Sequence, residues 1–109
     1  MVCRLWHGWT TLANAEEYGG YLQKELFPKV KRELEPKGYR GFQLLRSKNG
    51  AEVEFVTMLW FDSLVCVRAF AGEEYSTPVI SEKAKNLLSR YADRVVHYEL
   101  SSSSFPAFK

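Results

Sequence analysis

The sequence predicts a single α+β domain whose elements follow the order β-α-β-β-α-β. Its 109 residues fit one domain rather than two. Four segments alternate apolar and polar side chains with the period of a strand, and two regions between them carry apolar side chains at helical spacing. Strands and helices in this order favour a four-stranded antiparallel sheet with the helices on one face.

The first half of the chain contains a predicted strand followed by a long helix. Side chains from Val2 to Thr11 alternate between two faces, as they do along a strand. Asn14 stands three residues before Glu17, a spacing typical of a capping box, so we expect the helix to begin at Asn14. Pro28 lacks a backbone donor and predicts a kink near Lys24. The apolar stripe of this helix consists of Tyr18, Leu22, Leu26, Val30 and Leu34.

The second half contains a hairpin, two helical segments and a final strand. Asn49-Gly50 is its strongest local signal, because this pair favours a tight hairpin turn. The predicted elements are strands over 40–47 and 52–61, helical segments over 64–70 and 81–91, and a last strand over 93–100. The domain is therefore expected to span 1–100. Residues 101–109 form a Ser-rich tail, predicted to be flexible, from which Phe105 and Phe108 could dock on a partner subunit.

Helices on one face leave the other face of the sheet bare. The chain has three Trp, six Tyr and seven Phe, so 15% of its residues are aromatic. So many large apolar side chains must fill a core, line a cavity or meet a partner. The simplest cover for the bare face is a second copy of the sheet, and we therefore expect a homodimer.

Charge and composition limit the possible partners of the protein and its location in the cell. The formal net charge is +2, with acids and bases interspersed, which argues against a nucleic-acid partner or a membrane surface. Arg4 and His7 interrupt the first apolar residues, so no secretory signal is predicted, and no apolar run approaches about 20 residues. We expect a cytoplasmic protein in which Cys3 and Cys66 stay reduced.

The two histidines, His7 and His97, are the candidate catalytic residues. The first and last strands are neighbours in this topology, so we expect both rings to project from one face together with Glu99. One interpretation is a general base near neutral pH that a carboxylate orients. A second, which we favour, is a pair of hydrogen-bonded interface histidines. A third is a metal site, although the spacing does not show three ligands converging.

Aromatic and basic side chains on the predicted strands form a second candidate site. An apolar pocket with a few polar groups suits a planar organic ligand, and an arginine there would hold an anionic or phenolate group. The ordinary alternatives are core packing for the aromatic residues and pairing with Glu54 for the arginines. We expect Trp6 to face the helices and His7 to face the dimer partner. The candidate substrate-binding residues are Arg4, Trp6, Arg46, Trp60 and Tyr98.

Five segments carry a resemblance to a known family: Arg4-Leu5-Trp6-His7-Gly8, Leu44-Leu45-Arg46, Leu59-Trp60-Phe61-Asp62-Ser63, Ala69-Phe70-Ala71-Gly72 and Val96-His97-Tyr98-Glu99. Together they resemble the antibiotic biosynthesis monooxygenase-like group of the dimeric α+β barrel superfamily, over residues 2–100. The resemblance implies a ferredoxin-like fold that pairs into a dimeric barrel. It further implies a cofactor-independent monooxygenase, using neither metal nor flavin, for a small aromatic or polyphenolic compound. Trp, Tyr, His or Arg side chains would bind and deprotonate that substrate.

Other functions share this element order. One is a non-catalytic homodimer that binds a small molecule or serves a stress response, and it would use the same pocket. Another is the RNA-recognition module, but the third strand here begins with Glu52-Val-Glu and lacks the basic-Gly-aromatic signature. The haem-degrading branch of the resembled superfamily has an Asn where Trp6 stands, which argues against haem as a substrate.

Overall fold

The computed structural model describes residues 1–106, so the expectation for Phe108 lies outside the described residues. The elements are β1 Val2–Thr11, α1 Leu12–Tyr21, a π-helical turn Leu22–Leu26, α2 Phe27–Leu34, a 3-10 turn Glu35–Lys37, β2 Tyr39–Asn49, β3 Glu52–Phe61, α3 Leu64–Ala71, α4 Glu82–Leu87, β4 Leu88–Tyr91 and β5 Val96–Glu99. The predicted α+β class is confirmed. None of the helices within residues 1–106 has both the length and the apolar character that a membrane crossing requires.

The strands form one open antiparallel sheet in the order β2-β3-β1-β4, with β5 also paired to β1. Strands β4 and β5 lie end to end along the same edge of β1, because β3 occupies the other edge. Together they take the place of the predicted fourth strand. The order is compatible with a ferredoxin-like fold.

The predicted helix over 81–91 is wrong in its second half. Helix α4 ends at Leu87, and Leu88 adopts an extended backbone conformation as the first residue of β4. Leu88 pairs with Thr10 of β1 and keeps its side chain buried. A helix through this region would leave the edge of β1 without hydrogen-bond partners, so strand pairing overrides the helical spacing of the apolar side chains.

The long helix begins earlier than predicted and contains an irregularity where a kink is expected. Thr11 rather than Asn14 is the cap, since its hydroxyl accepts a hydrogen bond from the Asn14 N–H at 3.1 Å. In the π-helical turn the N–H of Phe27 reaches back five residues to the carbonyl of Leu22. Pro28 follows directly and lacks an N–H, so a widened turn accommodates the missing donor.

Alternation along β1 defines two faces of the sheet. The helix face carries Arg4, Trp6, Gly8 and Thr10, opposite Leu59, Thr57, Phe55 and Val53 of β3. The open face carries Cys3, Leu5, His7 and Trp9, opposite Trp60, Met58, Val56 and Glu54. The core lies between the helix face and the helices, as the apolar alternation of β3 predicts.

Glycine at position 38 is required by both backbone and space. Gly38 ends the 3-10 turn with a φ of 104°, and an added Cβ would collide with the Cys66 sulfur of α3. Its carbonyl accepts a hydrogen bond from Asp62 at 2.9 Å, which fixes the start of β2 against the end of β3. Both cysteines are free, with Cys3 in β1 and Cys66 in α3 as expected.

We predict that Gly38→Ala lowers the free energy of unfolding by about 2–4 kcal/mol, because left-handed strain and overpacking add. Gly50→Ala is the matched control, since Gly50 has a φ of 67° but open space around it. The control should lose only about 1 kcal/mol. Chemical denaturation of the three proteins measures both effects. Equal losses for the two variants would contradict the packing explanation.

Candidate functional site

A cavity of about 370 Å³ lies between the helix face of the sheet and the helices. This volume falls near the lower end of the range for ligand pockets, about 300–1,000 Å³. Strands β1 and β3, α1, the π-helical turn, α3 and the loop before α4 all contribute to its wall. The apolar part of that wall includes Trp6, Tyr18, Leu22, Leu26, Leu59 and Phe70.

Trp6 is held in the cavity wall by the irregular segment between β4 and β5. Its indole Nε1 donates a hydrogen bond to the carbonyl of Ala92 at 2.8 Å, and its ring lies 5.7 Å from that of Tyr91. The N–H of Ala92 in turn donates to the carbonyl of His7 at 2.9 Å. Trp6 thus faces the helices, as expected, with its one polar atom satisfied.

Arg4 lies in the same wall and is only 4% exposed. Its Nη1 donates to the carbonyl of Tyr75 at 2.5 Å and to His97 Nε2 at 3.2 Å, and its Nη2 donates to the carbonyl of Thr77 at 3.3 Å. The guanidinium also lies 5.3 Å from the centre of the Phe70 ring. Among residues 1–106 no carboxylate forms an ion pair with it. Burial lowers its pKa to about 10.

His97 stands directly opposite Arg4, on β5. Arginine can only donate, so Nε2 of His97 is the acceptor in their contact and the ring is neutral. Burial, and then the charge of Arg4, lower the pKa of His97 below its usual range. The imidazole is not part of the cavity wall and reaches the cavity only through Arg4.

The expectation that the two histidines share a face with Glu99 is wrong. Residues directly opposite on paired strands share a face, so His97 lies with Arg4 on the helix face. His7 is an odd number of residues from Arg4 and therefore lies on the open face. There its Nδ1 lies 2.7 Å from Glu54 Oε2, and its ring stacks on Trp9. The metal interpretation fails too, since no three potential ligands cluster in the described part of the chain.

The remaining candidate residues lie outside the cavity. Trp60 is on the open face, where its Nε1 donates to Gln43 Oε1 at 3.0 Å. Tyr98 lies on the same face, opposite Cys3, and is 54% exposed. Arg46 is at the far edge of the sheet, where it pairs with Glu16 at 3.2 Å. Neither expected pairing of an arginine with Glu54 forms, because His7 takes that carboxylate.

Two parts of the site escaped sequence analysis. The carbonyls that hold Arg4 belong to Tyr75 and Thr77, in the loop between α3 and α4. Backbone acceptors in an irregular loop leave no signal in residue type. The hydrogen bond of 2.7 Å that Tyr21 and Ser81 share in the cavity wall was also missed. The apolar stripe of the long helix, in contrast, already pointed to Tyr18, Leu22 and Leu26.

The lowered pKa of His97 predicts a pH-dependent stability. At acid pH the unfolded chain binds a proton at this ring that the folded chain resists, so stability falls as the pH drops below about 6.5. Thermal unfolding measured from pH 7.5 to 5.5 should show this loss in the wild type and a smaller one in His97→Gln. Identical curves for the two proteins would refute the prediction.

Comparison with known proteins adds no family to this geometry. No protein-family model matches the chain, and no curated protein matches it either. The resemblance to the antibiotic biosynthesis monooxygenase-like group, drawn from the motifs of the sequence, therefore stays a prediction.

Proposed function

We propose that the chain forms a homodimer that binds a small aromatic molecule in the cavity between sheet and helices. The cavity itself carries the proposal: its wall is mainly apolar and aromatic, and one buried guanidinium supplies a directional polar group. Apolar pockets with a few well-placed polar groups are typical of small-molecule sites.

The open face supports the homodimer. Two of its large apolar side chains, Leu45 and Tyr98, are 53% and 54% exposed within the single chain. The polar and charged groups at its margin already have partners within the chain, His7 with Glu54 and Arg90 with Glu52. Such a face needs no oppositely charged partner and suits a self-complementary, two-fold interface. Its exposed and half-buried apolar side chains are Leu5, Leu45, Val56, Met58, Val96 and Tyr98.

A second candidate function is cofactor-independent monooxygenation of the bound aromatic or polyphenolic compound, in a dimeric α+β barrel of the kind that the motifs resemble. Arg4 favours it, because a buried cation stabilises the phenolate that forms when such a substrate loses a proton. The neutral ring of His97 touches this cation. Binding without chemistry uses the same cavity, so oxygen consumption distinguishes the two.

The homodimer predicts that a charge on the open face separates the subunits. Leu45→Glu should shift the molar mass from that of two chains to that of one, since a carboxylate would be buried without a partner. Analytical ultracentrifugation or light scattering measures the change. Val65→Glu is the control, because Val65 is 71% exposed on α3, away from the sheet, and should stay dimeric. A wild-type monomer at all concentrations would overturn the proposal for the open face.

The binding site predicts that filling the cavity excludes a ligand. Leu26 is half-buried in the cavity wall, so Leu26→Trp should reduce the affinity for the uncharged fluorophore N-phenyl-1-naphthylamine at least about tenfold, by steric exclusion. Fluorescence titration measures the affinity of the wild type and the variant.

Leu64→Trp adds the same ring on α3, outside the cavity, and should bind like the wild type. Equal affinity of both variants and the wild type would mean that the fluorophore binds elsewhere. An oxygen electrode with anthrones and quinols then tests monooxygenation. Uptake that Leu26→Trp abolishes supports it, whereas binding without uptake leaves a binding protein.

A further inference from the structure

Arg4 differs from every other arginine of the sheet. Arg40, Arg46 and Arg90 also lie in strands, and each of them pairs with a carboxylate, Asp62, Glu16 and Glu52 respectively. Their side chains are between 36% and 58% exposed to solvent, where an ion pair contributes little. Arg4 is the buried one, and within residues 1–106 no carboxylate pairs with it. The arginine that most needs a counter-charge is therefore the one that lacks it.

The guanidinium of Arg4 has N–H donors that form no hydrogen bond within the described residues. Both Nη1 protons are used, on Tyr75 and His97, and one Nη2 proton is used on Thr77. The Nε proton and the second Nη2 proton have no acceptor among the described residues. Nε and Nη2 form the edge with which Arg40 holds Asp62, at 2.8 and 2.6 Å. In Arg4 each of these two nitrogens keeps one unused proton, so donors remain for a carboxylate.

The polarity and exposure of the cavity wall change from its buried end to its rim. Arg4 is 4% exposed, whereas Glu25 and Lys29 of the same wall are exposed to solvent. The charge of Glu25 is compensated by Lys83 at 2.7 Å, so this rim does not repel an anion. Between these ends lie Trp6, Leu22 and the other apolar side chains. A ligand with an anionic group at one end and a ring at the other complements this order.

We infer that the ligand is a small aromatic carboxylate whose carboxylate pairs with Arg4 while its ring packs against Trp6. The inference rests on the proposed binding function and names the substrate class of that cavity. A carboxylate fits better than a phosphate, because Arg4 is the one buried cation in the described wall and a dianion would stay half uncompensated. Burial without a counter-charge lowers the pKa of Arg4. The same burial makes an anionic ligand favourable beside it.

Isothermal titration calorimetry with 2-naphthoate and 2-naphthamide tests the inference. The two probes share a ring and a shape and differ in the charge of one group. The wild type should bind the naphthoate about ten- to a hundredfold more tightly, because hydrogen bonds to a charged group contribute about this much to affinity. Arg4→Gln should lose this preference and bind the two probes with similar affinity. Arg46→Gln removes a strand arginine outside the cavity and should keep the full preference.

The outcomes separate this inference from the proposed function. Equal affinity of the wild type for both probes, or a preference that persists in Arg4→Gln, overturns the carboxylate assignment and leaves a neutral-ligand site. Failure of the wild type to bind either probe or N-phenyl-1-naphthylamine overturns the proposed function and this inference together. If Arg4→Gln does not fold, Arg4→Lys replaces it. This variant keeps the charge but loses the bidentate edge, so its preference should fall to an intermediate value.

Discussion

Strand β1 hydrogen-bonds along both of its edges, and the rest of the molecule depends on this central position. With β3 on one side and β4 and β5 on the other, its side chains can point only toward the helices or toward the open face. Alternation therefore sends Arg4 and Trp6 to the cavity and His7 and Trp9 to the opposite surface. The two proposed properties of the protein, ligand binding and pairing of sheets, come from neighbouring residues of one strand.

Periodicity was enough to predict most of the fold. The alternation of β3 predicted its bounds, and the hairpin at Gly50 followed from residue type. Side-chain periodicity failed as a predictor where it conflicted with strand pairing. Leu88 continues the apolar stripe of a helix, yet it pairs with the edge of β1 as part of a strand. Thr11 and Asn14 show a smaller conflict, because both residue types cap helices and the end of β1 decided between them.

The site was predictable in part for the same reason. Faces within a strand follow from alternation, so Trp6 and Arg4 were placed on one face and His7 on the other from sequence. The match between two strands depends on register, and no hairpin turn joins the first strand to the last to fix it. His97 therefore could not be assigned to Arg4 rather than to His7. The acceptors from Tyr75 and Thr77 are backbone groups, whose positions depend on the path of a loop.

The four residues that separate β4 from β5 face only Trp6 and His7 of β1, since Gly8 pairs with Tyr91 and Leu5 pairs with Val96. Segment 92–95 therefore carries two residues more than the part of β1 that it faces. Its Ala92 both donates a hydrogen bond to the carbonyl of His7 and accepts one from the indole N–H of Trp6. Shortening the segment would move this acceptor, so the length of an irregular connection bears directly on the position of the Trp6 ring in the cavity wall.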